Sequence, residues 1–243
     1  MEGGIKCREK RSYMINTVLH GDCLELMKNI PDKSIDMILC DLPYGTTACK
    51  WDTIIPLGPL WEQYKRIIKD NGAIVLTASQ PFTSALVMSN VKDFRYSWIW
   101  NKKQTGNPFL AKHQPLKIHE DVLVFNSKNY KPEMRTGKMR IKGGAKRSLL
   151  FGSPTTESVN NQYYPTSVIE IANERLNKLH PTQKPIALFE YLIKTYTNEG
   201  DIVLDNCAGS GTTGVACKNT GRNYILMEKE QEYIDIINKR LKV

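Results

Sequence analysis

Apolar runs and helix-period stretches alternate along this chain. NTVLHGD (16–22), SIDMILCD (34–41), GAIVLTAS (72–79), FRYSWIWN (94–101), EDVLVFN (120–126), DIVLD (201–205) and NYILME (223–228) read as seven strands. Between them, Leu60, Tyr64, Ile67 and Ile68 recur at helical spacing and stop at Asn71-Gly72, and a second helix is predicted from about Pro81 to Val91. Pro185 suits a first helical position, with Ile186, Phe189, Leu192, Ile193 and Tyr196 on one face, and residues 231–241 form a terminal helix. Strands interleaved with helices in this way predict an α/β protein with a doubly wound, seven-stranded, mostly parallel sheet. Phe94, Tyr96, Trp98 and Trp100 alternate, so all four are expected on one face of their strand.

The rhythm breaks from Ser127 to about Lys178, which is polar, rich in Lys, Arg, Asn and Gly, and without a period. An irregular stretch of this length inside a compact domain is usually functional. The expected organisation is therefore one half-domain over 1–126, an insertion over 127–178, and a second half of the same domain over 179–243.

Composition excludes several classes. With 243 residues, 41% hydrophobic and 24% charged, the chain is neither disordered nor a coiled coil. No apolar run approaches the roughly 18 residues of a membrane span, and the first residues have no signal-type stretch, so a cytoplasmic location is expected. The six cysteines form no CxxC pair and the four histidines no pair at helical spacing, which predicts reduced thiols and no metal. The net charge of +9 is uneven: thirteen Lys/Arg against Glu120, Asp121 and Glu133 between Arg95 and Arg147 give a local +10. Such an excess suits nucleic acid, provided that a chemical site accompanies it.

Two motifs supply that chemistry. Gly209, Gly211 and Gly214 satisfy G-x-G-x-x-G directly after a strand and before a helix, and Glu228 ends the next strand 19 residues on. Glycines let the backbone turn tightly beside a ligand, and an acid at that strand tip accepts both hydroxyls of a ribose, so a nucleoside-bearing cofactor follows. The fingerprint alone leaves NAD and S-adenosylmethionine open. The second motif, DLPY (41–44), lies at the C-terminal end of an apolar strand, where open α/β sheets place ligands. The exocyclic amine of a base is a poor nucleophile and needs acceptors for its protons. Asp41 offers a carboxylate, the carbonyl of Leu42 a second acceptor, Pro43 a stiff turn and Tyr44 a stacking face.

With these residues, the chain resembles the β class of DNA amino-methyltransferases, in which the catalytic motif precedes the recognition region and the cofactor loop comes last. The resemblance runs from about Asn16 to Leu241 and includes HGDCLELM (20–27) and LHPTQKP (179–185). It implies a Rossmann-like fold, S-adenosylmethionine as cofactor, and methyl transfer to adenine N6 in flipped-out duplex DNA, with Asp41 as acceptor rather than strong base. Cytosine N4 is the alternative, then an RNA or protein amide; a nicotinamide oxidoreductase and a catalytically silent DNA-binding relative are the readings from other classes.

Residue by residue, the resemblance implies catalytic roles for Asp41, Leu42, Pro43 and Tyr44. It places the cofactor among Asp22, Cys23, Asp41, Thr182, Lys184, Asp205, Cys207, Ala208, Gly209, Ser210, Gly211, Thr212 and Glu228, with Thr182 and Lys184 at its carboxylate end. Leu42 stands where the family has its first Pro, and Asn206-Cys207 where Pro-Phe is usual. The basic stretches 101–108 and 134–147 suit DNA phosphates, so Tyr44, Trp100, Lys102, Lys103, Arg135, Arg140 and Arg147 are the candidate substrate contacts. The implied partners are duplex DNA, a second copy of the chain, and a cognate restriction endonuclease.

Overall fold

A computed structural model describes residues 15–45, 52–106, 108–142, 158–173 and 183–242. Ten strands occur among them: β1 (Thr17–His20), β2 (Ile35–Asp41), β3 (Ile68–Ala78), β4 (Phe94–Asn101), β5 (His119–Phe125), β6 (Arg135–Lys142), β7 (Ser158–Tyr163), β8 (Val168–Glu170), β9 (Ile202–Asp205) and β10 (Asn223–Glu228). The helices are α1 (Cys23–Met27), α2 (Leu57–Ile67), α3 (Phe82–Ser89), α4 (Ile186–Tyr196), α5 (Thr212–Asn219) and α6 (Gln231–Leu241). By internal contacts the chain divides into one unit of residues 1–131 with 167–243 and a second of 132–166.

The first unit holds an eight-stranded sheet in the order β1-β10-β9-β2-β3-β5-β4-β8. All seven strands read from the sequence are present, and β8 joins as an eighth, parallel to β4. Only β5 runs against its neighbours, pairing antiparallel with β3 and β4. Both sheet faces are covered, which is why the central strands carry continuous apolar runs such as Met37–Cys40 and Ala73–Leu76. Ile38 and Cys40 face Met27, Leu60, Tyr64, Ile67, Phe82 and Leu86 of α1–α3. Met37 and Leu39 face Leu188, Leu192, Ala216, Ile237 and Leu241 of α4–α6.

Three local expectations are corrected. The helical pattern through Ile68 to Asn71-Gly72 ends earlier, because Ile68 is extended and begins β3, taking its place beside Ile35 of β2. Phe94 does not share a face with Tyr96, Trp98 and Trp100. The register of β4 against β5 shifts between Phe94 and Tyr96, so Phe94 packs edge-on to Phe125 in one layer while Trp98 and Trp100 lie in the other. A one-residue slip moves a side chain through the sheet. The aperiodic stretch after Ser127 also contains regular structure, namely β8 and an antiparallel β6–β7 pair in the second unit. There Arg140 lies 3.9 Å from the centroid of the Tyr163 ring and donates to the Gln162 carbonyl at 3.0 Å. Gly137 is required opposite that ring, since a Cβ would stand 2.8 Å from it.

Candidate active site

The sheet order reverses between β9 and β2, which pair side by side although their chemistry lies more than 160 residues apart in sequence. Open α/β sheets bind ligands at such a switch point, beyond the C-terminal strand ends. Asp41 ends β2, Asp205 ends β9 and Glu228 ends β10. Since β5 runs the other way, its second residue, Glu120, reaches the same edge, beside Trp100 of β4. A cavity of about 520 Å³ opens there, lined among others by Asp22, Cys23, the 41–44 turn, Trp100, Glu120, Lys184, Glu228 and most of the glycine turn.

The glycine turn does what its spacing predicts. Gly209 and Gly211 have φ of 50° and 79°, which only glycine adopts cheaply. Gly214 permits close packing of α5: a Cβ there would lie 2.8 Å from Leu226 and 2.9 Å from Leu241. Glu228 ties the turn to β10, accepting from the Gly209 N–H at 2.7 Å and from those of Lys229 and Glu230 at 2.8 and 3.0 Å. Burial nonetheless keeps its carboxyl above the usual range. Asp205 accepts from Thr213 and from the Cys207 N–H, yet burial pushes its pKa to about 7. Asp22 lines the cavity and caps α1, accepting from Leu24 N–H at 2.9 Å. Ser210 donates to buried Gln183, a lining residue that lies within the 179–185 motif but was not among the candidate site residues. These residues fit a nucleoside-bearing group: a turn that only glycines permit, and a carboxylate at the cavity wall whose three accepted N–H bonds leave one of its roughly four acceptor positions for a hydroxyl.

At the other motif, Leu42 is buried in the core with α1–α3, so its side chain anchors the turn. Gly45, with φ of 67° and Ile54 packed against it, donates its N–H to Asp52 at 2.8 Å and fixes the exit. The Tyr44 hydroxyl donates to Asp41 Oδ1 at 2.8 Å, and its ring stacks on Phe82 at 5.4 Å. Thr77 also donates to Oδ1, because the parallel register sets Thr77 directly beside Asp41. The other oxygen, Oδ2, meets Lys184 Nζ at 2.8 Å.

Lys184 is 7% exposed and also contacts Glu120 Oε2 at 3.1 Å; Glu120 Oε1 in turn meets Lys102 at 3.0 Å. Burial alone would lower the Lys184 pKa, but Asp41 and Glu120 raise it above the ordinary lysine value. Burial alone would raise Glu120, but Lys184 and Lys102 together hold it below the carboxylate range. Four charged groups thus form one chain, Asp41–Lys184–Glu120–Lys102. Sequence reasoning had placed Lys184 at the cofactor's carboxylate end; the structure sets it against Asp41.

Glu120 and Thr77 were missed, because each is an ordinary residue at a strand end until pairing brings it to Asp41. Trp100 lines the cavity, buried, with its indole N–H on the Ile171 carbonyl. Lys103 pairs with Glu170 at 3.1 Å, and Arg135 donates to the Tyr164 carbonyl at 3.3 Å. Thr182 and Arg147 lie outside the described residues. Among the described residues no group of His, Cys, Asp and Glu could hold a metal ion, and no helix is long and apolar enough to cross a membrane.

Comparison with known proteins agrees with this geometry. A family model described as DNA methylase matches residues 35–239. The type II methyltransferase M.HinfI of Haemophilus influenzae is 31% identical over 97% of this chain and 70% of its own length. The DNA adenine methyltransferase YhdJ of Escherichia coli K12 is 31% identical over 93% of this chain and 83% of its own. The crystal structure of the M1.HpyAVI complex with S-adenosylmethionine superposes with a TM-score of 0.63 at 26% identity, covering 93% of this chain and 99% of that one. The fold, the two motifs at one sheet edge and the match over most of its length make this chain a member of the N6/N4 DNA methylase family.

Proposed function

We propose that the chain transfers a methyl group from S-adenosylmethionine to adenine N6 in duplex DNA. One observation carries this reading: Asp41, oriented by Thr77 and Tyr44, opens into the same cavity as the glycine turn and Glu228. The glycine turn and Glu228 would hold the adenosine end of the cofactor, which supplies an electrophilic methyl group when bound. Asp41 and the carbonyl of Leu42 would accept hydrogen bonds from the N–H groups of the target amine and orient its lone pair for in-line attack; the sulfonium would leave as a thioether and the amine would lose one proton, by way of Asp41, to solvent. Thr77 and Tyr44 fix Asp41 Oδ1, so the carboxylate need not reorganise as charge develops. Residues 127–178 serve as the recognition region, with Arg135 and Arg140 of the β6–β7 pair among its basic groups. The chain acts in the cytoplasm, as a dimer on palindromic DNA and beside a cognate endonuclease.

The test is transfer of labelled methyl groups from S-adenosylmethionine to unmethylated bacterial DNA, comparing the natural chain with Asp41→Ala and identifying the product nucleoside by mass spectrometry. N6-methyladenine from the natural chain alone is expected. N4-methylcytosine would keep the mechanism and overturn the base; no transfer to DNA would overturn the reading. Light scattering with and without DNA checks the dimer.

A further inference from the structure

An adenine can reach Asp41 only by leaving the base stack, so an enzyme acting on duplex DNA needs something to offset the lost stacking. The loop over residues 102–118 is placed to do this. It joins the end of β4 to the start of β5, and the cavity-lining residues Trp100 and Glu120 stand at its two roots. Its base is firmly tied: Lys102 N–H donates to the Ile118 carbonyl at 2.8 Å, Gly106 N–H to that of Lys117 at 3.1 Å, and Lys117 Nζ to Ser79 Oγ at 2.5 Å. Gln104 also donates to the Asn173 carbonyl at 2.8 Å. On this hydrogen-bonded base a 3-10 helix, Pro108–Lys112, presents Phe109 at 87% exposure and Leu110 at 39%. The loop carries Lys102, Lys103, Lys112 and Lys117 and no acidic residue.

We infer that Phe109 and Leu110 are an apolar wedge that enters the base stack as the target adenine leaves it. Apolar side chains inserted between base steps are a recurrent device for distorting duplexes. Here they stand on a cationic loop, which attracts the phosphates on either side, and the loop springs from strands whose Trp100 and Glu120 line the cavity that receives the base. A wedge must reach solvent from an anchored base, and the exposure of Phe109 and Leu110 above the ties of Lys102, Gly106, Lys117 and Gln104 meets both conditions. The inference rests on the proposal that the chain methylates duplex DNA.

The experiment first maps the methylated sequence by expressing the chain in a bacterial host without adenine methylation and sequencing the modified bases. Single-turnover methylation is then measured on a duplex with the target adenine paired and on one where it faces an abasic gap. In the second, leaving the stack costs less. Phe109→Ala and Leu110→Ala are expected to slow the paired duplex by about tenfold or more, and the gapped duplex by less than about threefold, with Phe109→Trp retaining the natural rate. No slowing, or equal slowing on both duplexes, overturns the wedge. Equal slowing with loss of self-association in light scattering would make the loop a protein contact instead. A natural chain that methylates DNA beside unaffected variants refutes the wedge alone; one that methylates no DNA refutes the underlying function as well.

Discussion

Lys184→Met tests the charge chain at the active site. The substitution keeps the length of the side chain and removes an ammonium that is 2.8 Å from Asp41 Oδ2 and 3.1 Å from Glu120 Oε2. With 7% exposure at Lys184, water cannot replace it at little cost. Removing one partner of a buried ion pair leaves the other charge uncompensated and typically costs about 3–5 kcal/mol. Glu120 keeps Lys102, so the lower end of that range is expected in urea unfolding at pH 8. Glu120→Gln on its own should cost less, because Lys184 retains Asp41. In the double variant Asp41 faces no second carboxylate, so the two effects should fall short of additivity by about 1–2 kcal/mol.

The sign with pH is fixed as well. Glu120 is held below its unfolded pKa, so its contribution is complete above the ordinary carboxylate range and is lost as pH falls through the lower folded value. Lys184 is held above its unfolded value of 10.5, so its contribution is complete below that pH and is lost only as pH rises through the higher folded value. The natural chain should therefore keep this stabilisation throughout the neutral range. A Lys184→Met variant within about 1 kcal/mol of the natural chain, with additive behaviour beside Glu120→Gln, would refute the view that these charges act as one unit.

Other outcomes follow from the same geometry. Thr77→Val removes a hydroxyl that donates to the Asp41 carboxylate and should lower methyl transfer by about ten- to a hundredfold, equivalent to about 1.5–3 kcal/mol, with little change in cofactor affinity by calorimetry. Asp205 titrates at about 7 when folded and 3.8 otherwise, so the folded chain binds the extra proton between those values and stability falls as pH rises through them. The full effect is on the order of 4 kcal/mol, and Asp205→Asn should flatten the slope seen in denaturant titrations. Gly214→Val should cost at least about 1–3 kcal/mol in thermal unfolding, since Leu226 and Leu241 occupy the space its side chain needs.

Much of this molecule is written locally in the chain. Short continuous apolar runs such as those within 34–41 and 72–79 specify buried strands, and the Gly209-x-Gly211-x-x-Gly214 spacing demands a tight turn into a helix because other residues resist positive φ. The positions of DLPY and Glu228 could be read for a similar reason: each sits at the tip of a strand that its own residues define. What lies around Asp41 could not be read that way. Thr77 reaches it through the register of β2 against β3, Glu120 through the reversed direction of β5, and Lys184 from a segment over 140 residues away. The displacement of Phe94 to the other face depends on a shift in pairing that no alternation in β4 announces. Backbone propensity and side-chain period act over a few residues and belong to the sequence. Register, strand direction and the partners of buried charges are set when distant segments pair, and only the tertiary structure decides them.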